Sequence, residues 1–206
     1  MLFRRKIYDK FLTWKKETGG KKALLVEGAR RIGKSTVVEE FAKNEYRSYI
    51  LIDFARATET VKEYFLEHLN DLDTFFMLLS VEYGVTLYPR ESIIVFDEVQ
   101  MFPKAREAIK YLVADGRYDY IETGSLISIK ENVKDIVIPS EERHIKMYPL
   151  DFEEFCWALQ EEPLVGYIRS CFDKREPLER SLHNKAMLLC FPARRLSRTS
   201  MPRPMT

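Results

Sequence analysis

The sequence predicts an α/β fold in which helices cover a parallel five-stranded sheet and a small helical appendage follows. Short apolar runs, rich in β-branched and aromatic residues, alternate with longer amphipathic stretches, which is the order of strands and helices in such folds. The apolar runs do not alternate with polar residues, a pattern typical of strands buried on both faces. After Pro149 only helical patterns remain, so we expect the sheet to end there.

The first half of the chain predicts two strands and four helices. Ile7, Phe11 and Trp14 recur at helical spacing within residues 4–16, and the glycine pair 19–20 ends this leading helix. The elements that follow are predicted to be a strand at 23–26, a helix from Lys34, a strand at 49–54, and helices at 58–69 and 72–83.

The second half predicts three more strands and then helices alone. Strands are expected at 92–98, 118–124 and 144–148, with a helix at 104–114 and a polar loop at 128–143. Asp151 followed by Glu154 forms a capping box, which predicts a helix beginning near Phe152. Further helical stretches are expected at 163–172 and 177–189.

The composition indicates a folded protein and provides no electrostatic reason for a nucleic-acid or membrane partner. The 33 Lys and Arg residues against 32 Asp and Glu leave a formal net charge of +1. No apolar run reaches the roughly 18 residues that a membrane span needs. Charges stand where a signal peptide has its apolar core, so we expect a cytoplasmic protein. The three cysteines have no CxxC spacing, which predicts neither a disulfide framework nor a zinc site.

Residues 28–35 read Gly-Ala-Arg-Arg-Ile-Gly-Lys-Ser, which fits the pattern G-x-x-x-x-G-K-[ST] of a phosphate-binding loop. Such a loop curls backbone N–H groups around phosphate oxygens, and its Lys and hydroxyl reach the β and γ phosphates and Mg²⁺. A plain strand-to-helix turn is the alternative, and it would use Gly28 and Gly33 for positive φ. That alternative explains neither Lys34 nor Ser35.

Two carboxylates end the third predicted strand, at the sheet edge where open α/β folds bind ligands. Asp97 is a candidate to hold the Mg²⁺ that Ser35 also contacts, and Glu98 is a candidate to polarise the attacking water. The alternative is a solvated strand end. Thr123 and Ser125 end the next strand at the same edge, where a hydroxyl would orient the water or sense the γ-phosphate; the alternative for them is a polar strand cap.

The chain resembles the prokaryotic ATPases of the AAA superfamily, P-loop NTPases in which an ATPase core precedes a further C-terminal region. The stretches that carry the resemblance are LLVEGARRIGKST, YILIDF, IIVFDEVQ, YIETGS and YPLDFEEF, and it covers roughly residues 1–189. It implies a three-layer sandwich and sites for ATP and Mg²⁺. The residues it assigns to ATP are Gly28, Ala29, Arg30, Arg31, Ile32, Gly33, Lys34, Ser35 and Thr36.

The resemblance also implies roles in catalysis. Asp97 becomes the metal-side carboxylate, Glu98 the water-activating one, and Thr123 or Ser125 the sensor. Arg143 falls where similar proteins carry an arginine finger for a neighbouring subunit's nucleotide, and a solvated surface arginine is the alternative.

Two functions follow from these residues. The first is Mg²⁺-dependent ATP hydrolysis coupled to a conformational change in a partner domain, with a homo-oligomer or another protein as partner. The alternative is a non-hydrolysing ATP-binding switch, or a vestigial module that lacks its output domain. A rate insensitive to Glu98→Gln would favour this alternative. A GTPase is disfavoured because no Asn-Lys-x-Asp segment occurs.

The end of the chain departs from the resemblance. We expect an ATPase core over 1–150, a helical segment over 151–189 that begins a truncated C-terminal region, and a disordered tail over 190–206. The last sixteen residues, FPARRLSRTSMPRPMT, contain four Arg and three Pro and no acid. A shift of the coding frame near residues 188–191 is our hypothesis for this tail.

Overall fold

A computed structural model describes residues 3–125 and 141–190 and confirms the α/β architecture. All five predicted strands are present and parallel, in the sheet order β2-β3-β4-β1-β5. Lys6–Pro149 forms one compact unit, and the remaining described residues form a second one. The strands are β1 (Ala23–Gly28), β2 (Ser48–Asp53), β3 (Ser92–Asp97), β4 (Asp119–Ser125) and β5 (Glu142–Lys146).

The predicted helices are also present within the described residues. They are α1 (Ile7–Thr18), α2 (Lys34–Glu45), α3 (Glu59–Glu67), α4 (Leu72–Tyr83), α5 (Pro103–Asp115), α6 (Phe152–Ala158), α7 (Glu162–Lys174) and α8 (Arg180–Cys190). A single 3₁₀ turn, Val99–Met101, precedes α5. Glycines end α1 and α5 in the left-handed conformation, with φ of 53° at Gly19 and 75° at Gly116.

Helices cover both faces of the sheet, which makes the larger unit a three-layer sandwich. Successive strand residues point to opposite faces, so Leu24 packs with α1 and α2 around Phe41. Leu25 faces the other layer, where α3, α4 and α5 pack around Phe65. Both clusters are almost completely buried, which explains why β1, β2 and β3 appear as continuous apolar runs.

The sheet order determines which strand ends meet. The strand β4 lies between β1 and β3, with Val26 beside Thr123 and Phe96 beside Glu122. The carboxyl ends of the three strands therefore lie at one edge, where the loop follows β1, Asp97 ends β3 and Thr123 lies on β4 between them.

The fifth strand corrects the sequence-based prediction. We predicted 144–148, but β5 spans Glu142–Lys146, so the last residues of the predicted loop 128–143 belong to the strand. The rest of that loop, up to residue 140, lies outside the described residues. The strand begins early because Glu142 is buried by an ion pair with Arg106 of α5, at 2.7 Å between Oε2 and Nη2. This partner lies 36 residues away, so the local pattern does not reveal it.

A second buried carboxyl, Glu122, lies beside this ion pair. One guanidinium does not neutralise two carboxylates in a buried place, so Glu122 favours its protonated form. Burial raises the pKa of Glu122 well above its ordinary value, and the charge of Glu142 raises it further, while Arg106 opposes both. His144 also reaches this cluster, with Nε2 at 3.2 Å from Glu142 Oε2.

The protonated state of Glu122 makes the stability of the fold depend on pH. The unfolded chain releases the Glu122 proton near its ordinary pKa while the folded chain keeps it. The free energy of unfolding therefore falls as pH rises above that ordinary pKa, until the folded group also ionises. Glu122→Gln removes this penalty. We expect its thermal midpoint to exceed that of the wild type by about 2–4 °C at pH 8, equivalent to about 1 kcal/mol, and by less at pH 4. An equal difference at both pH values would contradict this assignment, and the exposed Glu63→Gln is the matched control.

The smaller unit begins its helices with the predicted capping box. Asp151 Oδ1 accepts from the Glu154 N–H at 2.8 Å, and Glu154 Oε2 accepts from the Asp151 N–H at 3.1 Å. Arg5 binds Glu154 at 3.2 Å, and Arg4 stacks over the Trp157 ring at 4.4 Å. The predicted tail lies outside the described residues except for residue 190, which ends α8. Across 3–125 and 141–190, no helix has the length and apolarity to cross a membrane.

Candidate functional site

The loop after β1 passes so close to the chain after β5 that only glycine fits at its start. A Cβ on Gly28 would lie 2.5 Å from the Met147 carbonyl oxygen and 2.7 Å from Ile32 Cδ1. The first of these neighbours is backbone, which does not yield to a side chain. Gly28 is not among the described residues with positive φ, so the turn interpretation is wrong for Gly28: close approach and not φ explains this glycine.

The rest of the loop curls through two left-handed residues. Arg31 has φ of 64° and Gly33 has φ of 89°, and α2 begins immediately afterwards at Lys34. The first N–H groups of α2 and the positive end of its dipole therefore lie at the loop. This arrangement of backbone donors at a helix N-terminus is suited to binding an anion.

The Lys34 side chain lies inside the loop. It is 5% exposed, and its Nζ donates to the carbonyl oxygens of Gly28 at 3.1 Å and Ala29 at 2.9 Å. Burial lowers the pKa of Lys34, while the charges of Glu98 and Asp97 act in the opposite direction. The loop therefore holds a poorly solvated ammonium group among backbone carbonyls, with two carboxylates close enough to affect it.

Asp97 connects three parts of the sheet edge. Its Oδ1 accepts from Ser35 Oγ at 2.9 Å and from the Thr123 hydroxyl, and its side chain is almost fully buried. Ser35 belongs to the first turn of α2 and Thr123 to β4, so one carboxylate oxygen joins the loop, β3 and β4. Hydroxyl and carboxylate oxygens at this distance are the ligand types that Mg²⁺ takes from proteins.

Glu98 follows Asp97 in a backbone conformation unusual for a residue with a side chain. Its φ and ψ are 54° and 46°, which costs about 1–2 kcal/mol for a residue other than glycine. Its N–H donates to Thr123 Oγ1 at 3.3 Å, and its carboxylate accepts from the Gln100 amide. Thr123 therefore contacts both acids, donating to Asp97 and accepting from Glu98.

Two further sequence-predicted residues, Ser125 and Arg143, differ in their distance from the loop. Ser125 pairs with Gly28 in the sheet register, beside the start of the loop, but Thr123 makes the described contacts with the acids. Arg143 aligns with Leu24, four residues before Gly28 and about 13 Å from it along the strand. Its Nη1 pairs with Glu17 Oε2 at 2.5 Å, so the chain does not bring Arg143 to its own loop.

Three contributors to the site were not predicted from the sequence. These are the Met147 carbonyl that restricts Gly28, the pair of Arg106 with Glu142 that positions β5, and the Gln100 amide on Glu98. Of these, Gln100 alone leaves a local signal, because it stands two residues after Glu98. The others depend on contacts between distant segments.

Comparison with known families fits this geometry. A family model described as "AAA domain" matches residues 20–156, more than half of the chain. The chain belongs to this AAA domain family. The matched range contains the whole sheet, the loop and the acids after β3, and AAA domains are nucleotide-binding proteins of the ATPase type. No curated protein matches the chain.

Proposed function

We propose that this AAA domain is an Mg²⁺-dependent ATPase in which a water molecule attacks the γ-phosphate. The observation that carries the proposal is the convergence of Ser35 and Thr123 on Asp97, with Glu98 held next to them. A solvated strand end would not need a buried carboxylate that two hydroxyls from other elements contact. Phosphoryl transfer depends on this kind of positioning and charge stabilisation.

The loop residues would hold the phosphates. Backbone N–H groups and the first turn of α2 supply neutral donors, and Lys34 supplies a positive charge at the β and γ phosphates. Lys34 Nζ donates to two carbonyls of the loop itself, so phosphate oxygens would replace these carbonyls as its acceptors. The residues proposed to bind ATP are Gly28, Ala29, Arg30, Arg31, Ile32, Gly33, Lys34, Ser35 and Thr36.

The Mg²⁺ ion would be held by Ser35 and by Asp97, the second directly or through a water. These two residues suit Mg²⁺ because their hydroxyl and carboxylate oxygens lie 2.9 Å apart and oxygen is the ligand atom that Mg²⁺ prefers. When bound, Mg²⁺ supplies positive charge that stabilises the β and γ phosphate oxygens.

Glu98 is the proposed catalytic base. Its carboxylate orients the attacking water and accepts a proton from it, and Thr123 fixes its backbone through the N–H contact of 3.3 Å. Thr123 and Ser125 are the proposed sensors of the γ-phosphate, and Ser125 of β4 pairs in the sheet with Gly28 at the start of the loop. Arg143 is proposed to act on the nucleotide of a neighbouring copy, since it lies away from the loop of its own chain.

A non-hydrolysing ATP-binding switch is the second candidate. The observation that favours it is the position of Arg143, which aligns with Leu24 and pairs with Glu17, away from the loop of its own chain. If turnover needs an arginine from a neighbour, the isolated chain would bind ATP with little hydrolysis.

Removal of the metal tests the proposed function. We expect phosphate release from ATP to stop in excess EDTA and to return with added Mg²⁺. Ser35→Ala removes a metal ligand, so the Mg²⁺ concentration for half-maximal rate is expected to rise about tenfold or more. Ser80→Ala on α4 is the matched control. Release that continues in EDTA, or an unchanged Mg²⁺ requirement in Ser35→Ala, would contradict the metal site.

A further inference from the structure

Gln100 lies in the 3₁₀ turn between β3 and α5, where it is 5% exposed. Its amide Nε2 donates to Glu98 Oε2, the carboxylate oxygen of the proposed base. A long polar side chain is seldom buried to this extent without a specific partner. The specific partner of the buried Gln100 amide is therefore the Glu98 carboxylate, two residues earlier in the chain.

The backbone around Glu98 holds both residues of this contact in place. The left-handed conformation of Glu98 turns the chain out of β3, and the Met101 N–H closes the turn on the Glu98 carbonyl at 2.9 Å. Val99 is 1% exposed in the core, and the Glu98 N–H binds Thr123 on β4. The backbones of Glu98 and Gln100 are therefore both fixed. The Gln100 amide then restricts the side-chain rotamers of Glu98.

An amide is well suited to hold a catalytic carboxylate. Its N–H group donates to one carboxylate oxygen, and it does not take up a proton itself, so proton transfer stays with Glu98. Occupation of Oε2 leaves Oε1 for the attacking water. A free glutamate side chain samples several rotamers and loses conformational entropy when the reaction fixes it. A side chain that is already fixed does not pay this cost in the transition state.

We propose that Gln100 is a positioning residue that holds the Glu98 carboxylate in the orientation used for hydrolysis. The inference rests on the proposed function, because it assigns Gln100 a role at the same site. The contact that places Gln100 at the site is the one with Glu98, so we expect its effect on the catalytic step rather than on ATP binding. Its effect is transmitted through Glu98.

Two variants of Gln100 test the inference. Gln100→Met keeps the length of the side chain and removes the N–H donor, and Gln100→Glu keeps its shape and places a second carboxylate against Glu98. We expect kcat for ATP to fall about 10- to 30-fold in both, with KM for ATP within about twofold of the wild type. Met101→Ala, an exposed position in the same turn, is the control for damage to the turn, and thermal midpoints show whether each variant folds.

A double variant shows whether the effect passes through Glu98. Adding Gln100→Met to Glu98→Gln should cause no further loss of rate, because the base is already absent. A wild-type kcat in Gln100→Met, a loss that appears in KM, or an equal loss in the Glu98→Gln background would overturn the inference and leave the proposed ATPase intact. Absence of turnover in the wild type under the same conditions would overturn both.

Discussion

Glu98→Gln is expected to lower kcat for ATP hydrolysis at least about 100-fold while ATP affinity changes by no more than about threefold. The variant keeps the size of the side chain but replaces the carboxylate that is proposed to accept a proton from water with an amide, which does not take up that proton. General-base catalysis typically contributes 10²–10⁴-fold, so its loss dominates the rate. The measurement pairs steady-state phosphate release with equilibrium ATP binding.

The matched control for Glu98→Gln is Glu63→Gln, which makes the same chemical change on the exposed surface of α3. It should retain the wild-type rate. A Glu98→Gln variant with more than about a third of the wild-type kcat would show that Glu98 is not the base, and the water would then be activated elsewhere.

Lys34→Ala is expected to weaken ATP binding about 100-fold or more and to abolish turnover with it. The ammonium group is the one loop side chain that lies buried and already donates to two acceptors inside the loop. Its contact with phosphate combines charge and hydrogen bonding in a place shielded from water, where both are strong. Calorimetric titration with ATP and Mg²⁺ measures the loss.

Folding and binding are separable in this variant. Burial lowers the pKa of Lys34, but its ammonium group also donates to two loop carbonyls, so the thermal midpoint of Lys34→Ala is measured beside ATP binding to show that the variant folds. Lys110→Ala, at an exposed position of α5, is the matched control and should bind ATP normally. ATP affinity within threefold of the wild type in Lys34→Ala would exclude the loop as the phosphate site.

The strands and helices were largely predictable because local patterns determine them. Uninterrupted apolar runs indicated β1 to β3, and the glycines after α1 and α5 marked their ends correctly. The strand β5 was misplaced by two residues, because its first residue is a carboxylate that only a distant arginine allows to be buried. Such a partner depends on tertiary packing, which the neighbouring sequence does not encode.

The candidate site likewise has parts that the local sequence predicts and parts that depend on tertiary structure. The loop from Gly28 to Ser35 and the acids after β3 were predictable because each is a contiguous segment with its own chemistry. The bridging role of Thr123 depends on the position of β4 between β1 and β3, which is a property of sheet order. The contact of Gln100 with Glu98 depends on one left-handed residue, and nothing in the sequence indicates that a glutamate adopts this conformation.

A single-turnover experiment tests most directly whether this AAA domain cleaves ATP. The purified chain is mixed in excess over γ-labelled ATP with Mg²⁺, so that each nucleotide is bound and product release does not limit the signal. The wild type is expected to convert the bound ATP to ADP and phosphate, whereas Glu98→Gln returns it intact. Intact ATP recovered from the wild type, although bound through Lys34, would contradict the ATPase and favour the non-hydrolysing switch.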